Sequence, residues 1–343
     1  MVWLAAFLHN RTQCVAIENV FSNVSSVISG VPQGSVLRPV LFLVFINDID
    51  VICQGRSRIK LFADDLKIYN IVDVTNPTAS LQLSLDQLVK WSAEWQLPIN
   101  IKKCSVLTIN RSESRNAHIA SDYYLYGSLL VKSTSVMDLG IEINSDLSFQ
   151  SHIGSIVSKA RQRVGVLFRG FQTRQVSFLK KAYITYIRPL LEYNSNIWNP
   201  KQVYFIDLLE SVQRAFTKRV KAISKLSYTE RLAIFNLEPL ELRRLRYDLV
   251  QYYKILNNLT PLNPADYFNL HYPLASARDP SPIIVKPTLF SNKVLSGCFF
   301  YRHIDCWNSL PSVVRNIKSL PAFKSALSNI DLSGFLRCSA LRF

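Results

Sequence analysis

The stretch Leu61-Phe62-Ala63-Asp64-Asp65-Leu66-Lys67-Ile68-Tyr69 constrains the fold most tightly. Ile59, Leu61 and Ala63 share one face of a strand, because strand side chains alternate with period two. Leu66, Ile68 and Tyr69 resume a strand-like pattern after the two aspartates. The simplest geometry is a β-hairpin with Asp64 and Asp65 at or beside its turn. Adjacent carboxylates repel, so keeping both ionised needs water or a cation. Mg²⁺ takes one or two carboxylates and keeps its other positions for water and substrate phosphates. The pair thus suits metal-assisted phosphoryl chemistry. Asp-Asp is also common at plain solvated turns, where the side chain bonds its own backbone.

Upstream lies Ser29-Gly30-Val31-Pro32-Gln33-Gly34-Ser35-Val36-Leu37-Arg38-Pro39. Ser35 is a good helix N-cap. Val36 to Ile49 then reads as a helix that is apolar on nearly every side, hence deeply buried. Pro39 falls in its first turn, where amides have no intrahelical partner. Gly34 lets backbone approach a ligand closely. Before the loop, Val15 and Ile17, then Val24, Val27 and Ile28, suggest a hairpin, and Trp3 to Leu8 the end of a helix.

Taken in order, the Ser-Gly-Val-Pro-Gln-Gly-Ser loop, the apolar helix and the Phe-Ala-Asp-Asp hairpin resemble the reverse transcriptase domain of non-LTR (jockey-like) retrotransposons. The resemblance implies an RNA-directed DNA polymerase acting by two-metal phosphoryl transfer. Asp64 and Asp65 would be catalytic residues and Mg²⁺ ligands. The loop residues Gly30, Pro32, Gln33, Gly34 and Ser35 would position template and incoming nucleotide. RNA template, DNA primer and dNTP would be the partners. Arg38 departs from the family, which usually has glycine there, and its long side chain is expected to crowd the helix or the nucleotide site. The family's further catalytic aspartate precedes the loop, whereas residues 1–29 hold a single carboxylate, Glu18. The resemblance therefore begins after the first catalytic strand, which leaves one metal ligand missing and points to weak or absent activity for this chain alone.

Ser80 to Trp95 is a helix candidate with Leu81, Leu85, Leu88, Val89 and Trp95 near one face. Asn100 to Leu107 reads as a strand; its Asn-x-x-Lys-Cys pattern resembles one whose lysine lies near the leaving pyrophosphate. That maps onto Lys103, as general acid or charge stabiliser, with a solvated edge lysine as the plain alternative. Tyr123 to Leu130, with Gly127, looks like a hairpin, and 138–149 resembles the part of the family's palm that grips the primer.

From His152 the chain turns helical and basic. Phe205, Leu208, Leu209, Val212, Phe216, Val220 and Ile223 fall within about a 120° arc of one helix. Arg214, Lys218, Lys221 and Lys225 lie opposite, a stripe suited to phosphate contact. A second helix, Glu241 to Leu256, places Leu242, Leu245, Leu249, Tyr252, Tyr253 and Leu256 inside, with Arg243, Arg244 and Arg246 outward or flanking. Asn258 to Pro287 reads as a long connector. Phe299-Phe300-Tyr301-Arg302 and Cys306-Trp307-Asn308-Ser309-Leu310-Pro311 resemble the end of many such enzymes, and core packing is their plain reading.

The 343 residues carry a formal net charge of +16, which points to a polyanionic partner, nucleic acid first. Six scattered cysteines form no Cys-x-x-Cys pair, as expected of reduced thiols in an intracellular protein of nucleus or cytoplasm. The longest apolar run, Val40 to Ile46, is far below the roughly 20 residues of a membrane helix, so no membrane partner is expected. The expected fold class is α+β: a partial polymerase palm of antiparallel sheet plus helices over 1–150, a helical basic thumb-like region over 151–257, and a connector with a helical tail over 258–343. The alternative function is a non-catalytic nucleic-acid-binding remnant.

Overall fold

The computed structural model describes residues 2–32, 34–53, 55, 57–71, 79–109, 122–272, 282–287 and 297–338. The chain divides into two compact units, Met1–Thr134 and Ser135–Phe343. Helices and small sheets alternate along it, an α+β arrangement, and every sheet among the described residues is two-stranded.

In the N-terminal unit, α1 (Val2–Leu8) leads into a long hairpin. Its outer rung pairs β1 (Thr12–Gln13) with β4 (Ser25–Ser26), and its inner rung pairs β2 (Ala16–Ile17) with β3 (Val20–Phe21). Next come α2 (Arg38–Phe45), the hairpin β5 (Arg58–Phe62) and β6 (Asp65–Tyr69), and α3 (Ala79–Glu94). Then β7 (Ser105–Leu107) pairs in parallel with β10 (Val131–Ser133), around the small hairpin β8 (Tyr124–Leu125) and β9 (Ser128–Leu129). The turn of that small hairpin has Tyr126 at φ 50° and Gly127 at φ 73°, the doubly positive pair that matches strand twist. Ile46, Ile49 and Ile52 meet Leu85, Leu88 and Trp91 of α3 to make the core of this unit.

Two expectations for this unit fail. The helix read over Val36 to Ile49 spans only Arg38–Phe45 and contains no buried residue. Val36 is 93% exposed, and Val40, Leu43 and Val44 also face solvent. Burial needs a second surface, and among the described residues the core touches the end of this segment, from Phe42 onward. The strand read over Asn100 to Leu107 begins only at Ser105. Ile101–Lys103 forms a 3₁₀ turn, because the Asn100 side chain accepts a hydrogen bond from the Lys102 amide (3.1 Å) and so caps it.

The C-terminal unit opens with the hairpin β11 (Ser135–Asp138) and β12 (Ile141–Asn144). Helices follow: α4 (Gln150–Gly170), α5 (Val176–Ala182), a π-helical turn at Tyr183–Ile187, α6 (Arg188–Glu192), α7 (Ser195–Trp198) and α8 (Val203–Lys218). α9 (Tyr228–Phe235) has a full capping box, with Ser227 and Glu230 satisfying each other's amides. α10 (Leu240–Leu256) then joins two cores. One gathers α4, α5, α8 and α9 around Leu209, Val212, Phe216 and Phe235. The other packs Leu249, Tyr252 and Tyr253 of α10 against Trp307 and Phe323.

Three further differences lie here. The helix read through Ile223 stops at Lys218, and Lys221–Ile223 is a 3₁₀ turn. Val220 is buried and Ile223 packs on the same core, so the apolar spacing survives the break that it conceals. The connector contains structure: Asn269–His271 pairs antiparallel with Ile283–Val285, and both Phe268 and Ile284 are buried. Arg244, expected outward or flanking, is 0% exposed.

Candidate active site

The hairpin β5–β6 has a two-residue turn, since Phe62 pairs with Asp65 across it. Asp64 is the second turn residue and Asp65 opens β6. Ala63, the first turn residue, sits at φ 51°, in the left-handed region where a side chain is strained. The cross-strand pairs Leu61–Leu66 and Ile59–Ile68 share one face, and Ile59, Leu66 and Ile68 pack on the core of the unit. The tip is thereby held while both aspartates stay exposed. Lys60 stands opposite Lys67 on the other face, the same face as Asp65. Directly opposed like charges destabilise a ladder on their own. Sequence reading passed over this pair, although hairpin register exposes it.

The loop before α2 is built from turns. Gly30 and Gly34 both stand at φ 79°, with open space where a Cβ would be, so backbone conformation rather than crowding selects glycine there. Arg11 donates to the Gly30 carbonyl (2.5 Å) and to the Leu8 carbonyl (3.2 Å), tying the loop to the end of α1. Ser35 Oγ donates to the Pro32 carbonyl (3.0 Å) and accepts from the Arg38 amide (3.2 Å). It thus does the chemistry of a cap on the turn that enters α2, although Leu37 is the boundary residue. Arg38 is exposed. Gln33 lies outside the described residues. Lys103 is exposed at the end of its 3₁₀ turn, and Ile101, Cys104 and Val106 beside it pack on the core that also holds the hairpin. One core therefore anchors the hairpin, the end of the α2 segment and the Lys103 turn.

Among the described residues no group of three or more His, Cys, Asp or Glu is arranged to hold a metal ion. The two hairpin carboxylates fit a partial Mg²⁺ ligand set, since that ion commonly takes one or two carboxylates and fills its octahedron with water and phosphate oxygens.

In the C-terminal unit, Lys218, Lys221 and Lys225 are exposed, but they follow a helix end and a turn rather than one helical stripe. Arg214 is set apart from them: it is half-buried, with its guanidinium over the Tyr228 ring at 5.4 Å.

The most elaborate polar structure surrounds Asp248, which is 0% exposed. Arg302 grips it with a fork, Nε to Oδ2 and Nη2 to Oδ1, each 2.7 Å. Asn196 donates to Oδ1 (2.8 Å), Asn199 donates to Oδ2 (3.2 Å), and His303 Nε2 lies 3.1 Å from Oδ2. Burial pushes this carboxyl up, but Arg302 and His303 outweigh it and hold the pKa at about 2. Asn308, from the same tail motif, donates to the Ile284 carbonyl (2.8 Å) and accepts from the Ile284 amide (3.0 Å). The tail motif is thus a clamp: one arginine on α10 and one asparagine on the strand Ile283–Val285. Sequence reading included Arg302 and Asn308 in the motif but gave it only core packing as its plain reading. The missed signal was Asp248, an acid among the core positions of an amphipathic helix.

Comparison with known proteins matches the region that contains the hairpin and the loop. The model of the reverse transcriptase (RNA-dependent DNA polymerase) family matches residues 2–179. The RNA-directed DNA polymerase from mobile element jockey of Drosophila melanogaster is 30% identical over 167 residues, 46% of this chain and 18% of that protein. The probable RNA-directed DNA polymerase from transposon BS of the same fly is 27% identical over 210 residues, 57% of this chain and 22% of the relative. That from transposon X-element is 23% identical over 224 residues, 63% and 24% of the two. The chain thus spans about a fifth of the length of these relatives. With the family model covering more than half of it and both motifs inside the match, the chain belongs to the reverse transcriptase (RNA-dependent DNA polymerase) family.

Proposed function

We propose that the chain is the part of a mobile-element RNA-directed DNA polymerase that carries the Asp64–Asp65 carboxylates of its nucleotidyl-transfer site. The observation that carries this is the hairpin itself: a tight turn with two exposed carboxylates, fixed from behind by Ile59, Leu66 and Ile68. Asp64 and Asp65 would hold Mg²⁺, which when bound supplies charge stabilisation for the attacking 3′-hydroxyl and the leaving pyrophosphate. The loop of Gly30, Pro32, Gln33, Gly34 and Ser35 would orient template and dNTP, and Lys103 would offset charge on pyrophosphate. On this reading the N-terminal unit is part of the palm. The C-terminal helices act as a thumb, with Lys218, Lys221 and Lys225, together with Arg214, neutralising backbone phosphates of the RNA template and DNA primer. No described helix is long and apolar enough to cross a membrane, and the reading involves none.

The two aspartates stand without a third acidic or imidazole ligand among the described residues, which favours weak or absent catalysis by this chain alone. The second reading, a nucleic-acid-binding remnant without catalysis, draws on the same observation. Primer extension on an RNA template with Mg²⁺ separates the two. Extension that disappears in Asp64→Asn/Asp65→Asn supports polymerase action. A folded chain that binds RNA in a steeply salt-dependent way, extends nothing and is indifferent to the double substitution supports the remnant.

A further inference from the structure

In the C-terminal unit, the ends of α4 and α8 meet at the Phe168 ring. Phe168 packs on the core beside Phe216, whose fully buried ring lies 5.5 Å away, so it is fixed from behind. Two guanidinium groups stand over it: Arg174, just after α4, at 5.3 Å from the ring centroid, and Arg219, at the end of α8, at 5.4 Å. Their centres lie within about 11 Å of each other, because both are tied to one centroid. Both side chains are exposed. Backbone carbonyls set their orientation. Arg174 donates through Nη2 to the Phe168 carbonyl (3.1 Å) and through Nη1 to the Phe171 and Thr173 carbonyls, the latter at 3.0 Å. Arg219 Nη1 reaches the Val164 carbonyl (3.5 Å), and its other two nitrogens make no hydrogen bond. Carbonyls orient a guanidinium without neutralising it.

The surrounding chain does not neutralise it either. Residues 147–191 and 211–229, which supply Phe168 and both arginines, hold thirteen Lys and Arg and no Asp or Glu. Among the described residues no carboxylate lies within ion-pair distance of Arg174 or Arg219, nor of their exposed companions Arg169, next to Phe168, and Lys218, next to Arg219. The acids that border these segments are engaged elsewhere. Glu192 pairs with Arg243 and Arg188, Glu210 is buried against the Tyr228 hydroxyl and the Leu240 amide, and Glu230 caps α9. Counted as fully charged, three carboxylates still do not offset thirteen cations. The surface therefore asks for a polyanion. A guanidinium presents its N–H groups in a plane that matches phosphate oxygens in pairs, and side chains already held in place lose less freedom on binding. A strand with one phosphate per nucleotide can meet two such groups at once.

We propose that Arg174 and Arg219, held on Phe168, contact neighbouring backbone phosphates of a nucleic-acid strand, with Arg169 and Lys218 beside them. The contact presumes, as the proposed function does, that the chain handles nucleic acid. It needs no catalysis, and it uses neither the Asp64–Asp65 hairpin nor Lys221 and Lys225.

The test is binding of the full chain to a labelled single-stranded RNA oligonucleotide, followed by fluorescence anisotropy over a range of KCl concentrations. Arg174→Gln/Arg219→Gln should lower the slope of log affinity against log salt by about 1.4 and weaken binding about twentyfold near 0.1 M salt, since each lost phosphate contact is worth about 0.7 of slope. Arg174→Lys/Arg219→Lys should keep the slope. Lys318→Gln/Lys324→Gln removes the same charge from exposed positions in the tail and should leave the slope nearly unchanged. Because Arg174 also ties down the end of α4, Arg219→Gln alone is the second variant, with an expected fall of about 0.7. Arginines that serve only as helix caps would lower the unfolding midpoint and leave the slope alone, which overturns the proposal. An equal fall in the tail variant, which would make the attraction one of net charge, overturns it too, as does a parent chain that binds no RNA. Capture of phosphatidylserine vesicles that depends on the two arginines, with RNA binding unmoved by their loss, would assign the surface to a membrane and overturn it as well. Primer extension reads the hairpin, so none of these outcomes decides the polymerase reading.

Discussion

Replacing Asp248 with Asn removes one charge and few atoms, so its effect isolates the ion pair. The carboxylate is fully buried and receives donors from Arg302, Asn196 and Asn199, with His303 alongside. A pKa held at about 2, against its ordinary 3.8, means that the folded state favours the ionised form. At about 1.4 kcal/mol per unit, that is worth about 2 kcal/mol. The sign follows from linkage: a depressed carboxylate stabilises fully above its unfolded pKa, near 4, and loses this as pH falls through about 2. Asp248→Asn forfeits at least this, and it also leaves Arg302 buried without its counter-charge. The expected loss at pH 7 is therefore about 3–5 kcal/mol, the usual size for orphaning one partner of a buried pair. Hydrogen exchange of peptides from α10 reads it locally, and should accelerate from about a hundredfold to a few thousandfold. Adding Arg302→Met removes the orphaned charge, so the double variant should be less destabilised than the sum of the singles by more than about 1 kcal/mol. A single-variant loss below about 1 kcal/mol, or simple additivity, would refute the view that the fork holds the tail motif to α10.

Three further outcomes are expected. Ala63→Gly should stabilise the N-terminal unit by about 1 kcal/mol, because Ala63 sits at φ 51° and glycine carries no penalty there; an unchanged or lower denaturation midpoint would count against the strained turn. His152 is buried beside Trp198, with Nδ1 accepting the Glu142 amide (3.4 Å), and burial lowers its pKa despite the opposing Glu142 charge, with Lys159 adding to the fall. The unfolded chain therefore binds the proton first, and stability of the C-terminal unit should fall as pH drops below about 6.5, by at most about 1.4 kcal/mol per pH unit, with His152→Gln flattening the slope below about pH 6.5. Asp64→Asn/Asp65→Asn should leave the unfolding midpoint within about 0.5 kcal/mol of the parent, since both side chains are exposed at a hairpin tip; a larger loss would make the pair structural.

What the sequence displayed was local. The hairpin around Asp64 follows from period-two alternation, and α3 and α10 fall within one residue of their expected starts because their apolar faces repeat over several turns. What it concealed was non-local. Arg244 looks like a flanking charge on a helical wheel, yet it is buried with its Nε on Asn199 Oδ1 (3.0 Å), 45 residues away in sequence. The carboxylates that compensate it, Glu210, Glu241, Glu192 and Asp248, come from three helices. Residues Val36 to Phe45 fail the other way. Apolarity says that a segment would gain by burial, but not that the described part of the chain offers a surface to bury it.

These failures share a physical root that bears on function. The two units use charge differently. In the C-terminal unit, Arg231, Arg244, Arg302 and Arg315 are all sunk into the fold, bound to carbonyls, amides or carboxylates. They contribute to the net charge of +16 but not to a surface that greets phosphate. On the proposed function, attraction for nucleic acid rests on the exposed cations, Lys218, Lys221 and Lys225 among them, which is a smaller set than composition advertises. In the N-terminal unit the charges of the hairpin remain at the tip and on its open face, where desolvation costs little and a metal or phosphate can reach them. Buried arginines therefore answer to stability assays and exposed lysines and aspartates to binding and turnover. A substitution that moves both kinds of assay together marks a residue whose charge serves the fold and the ligand at once.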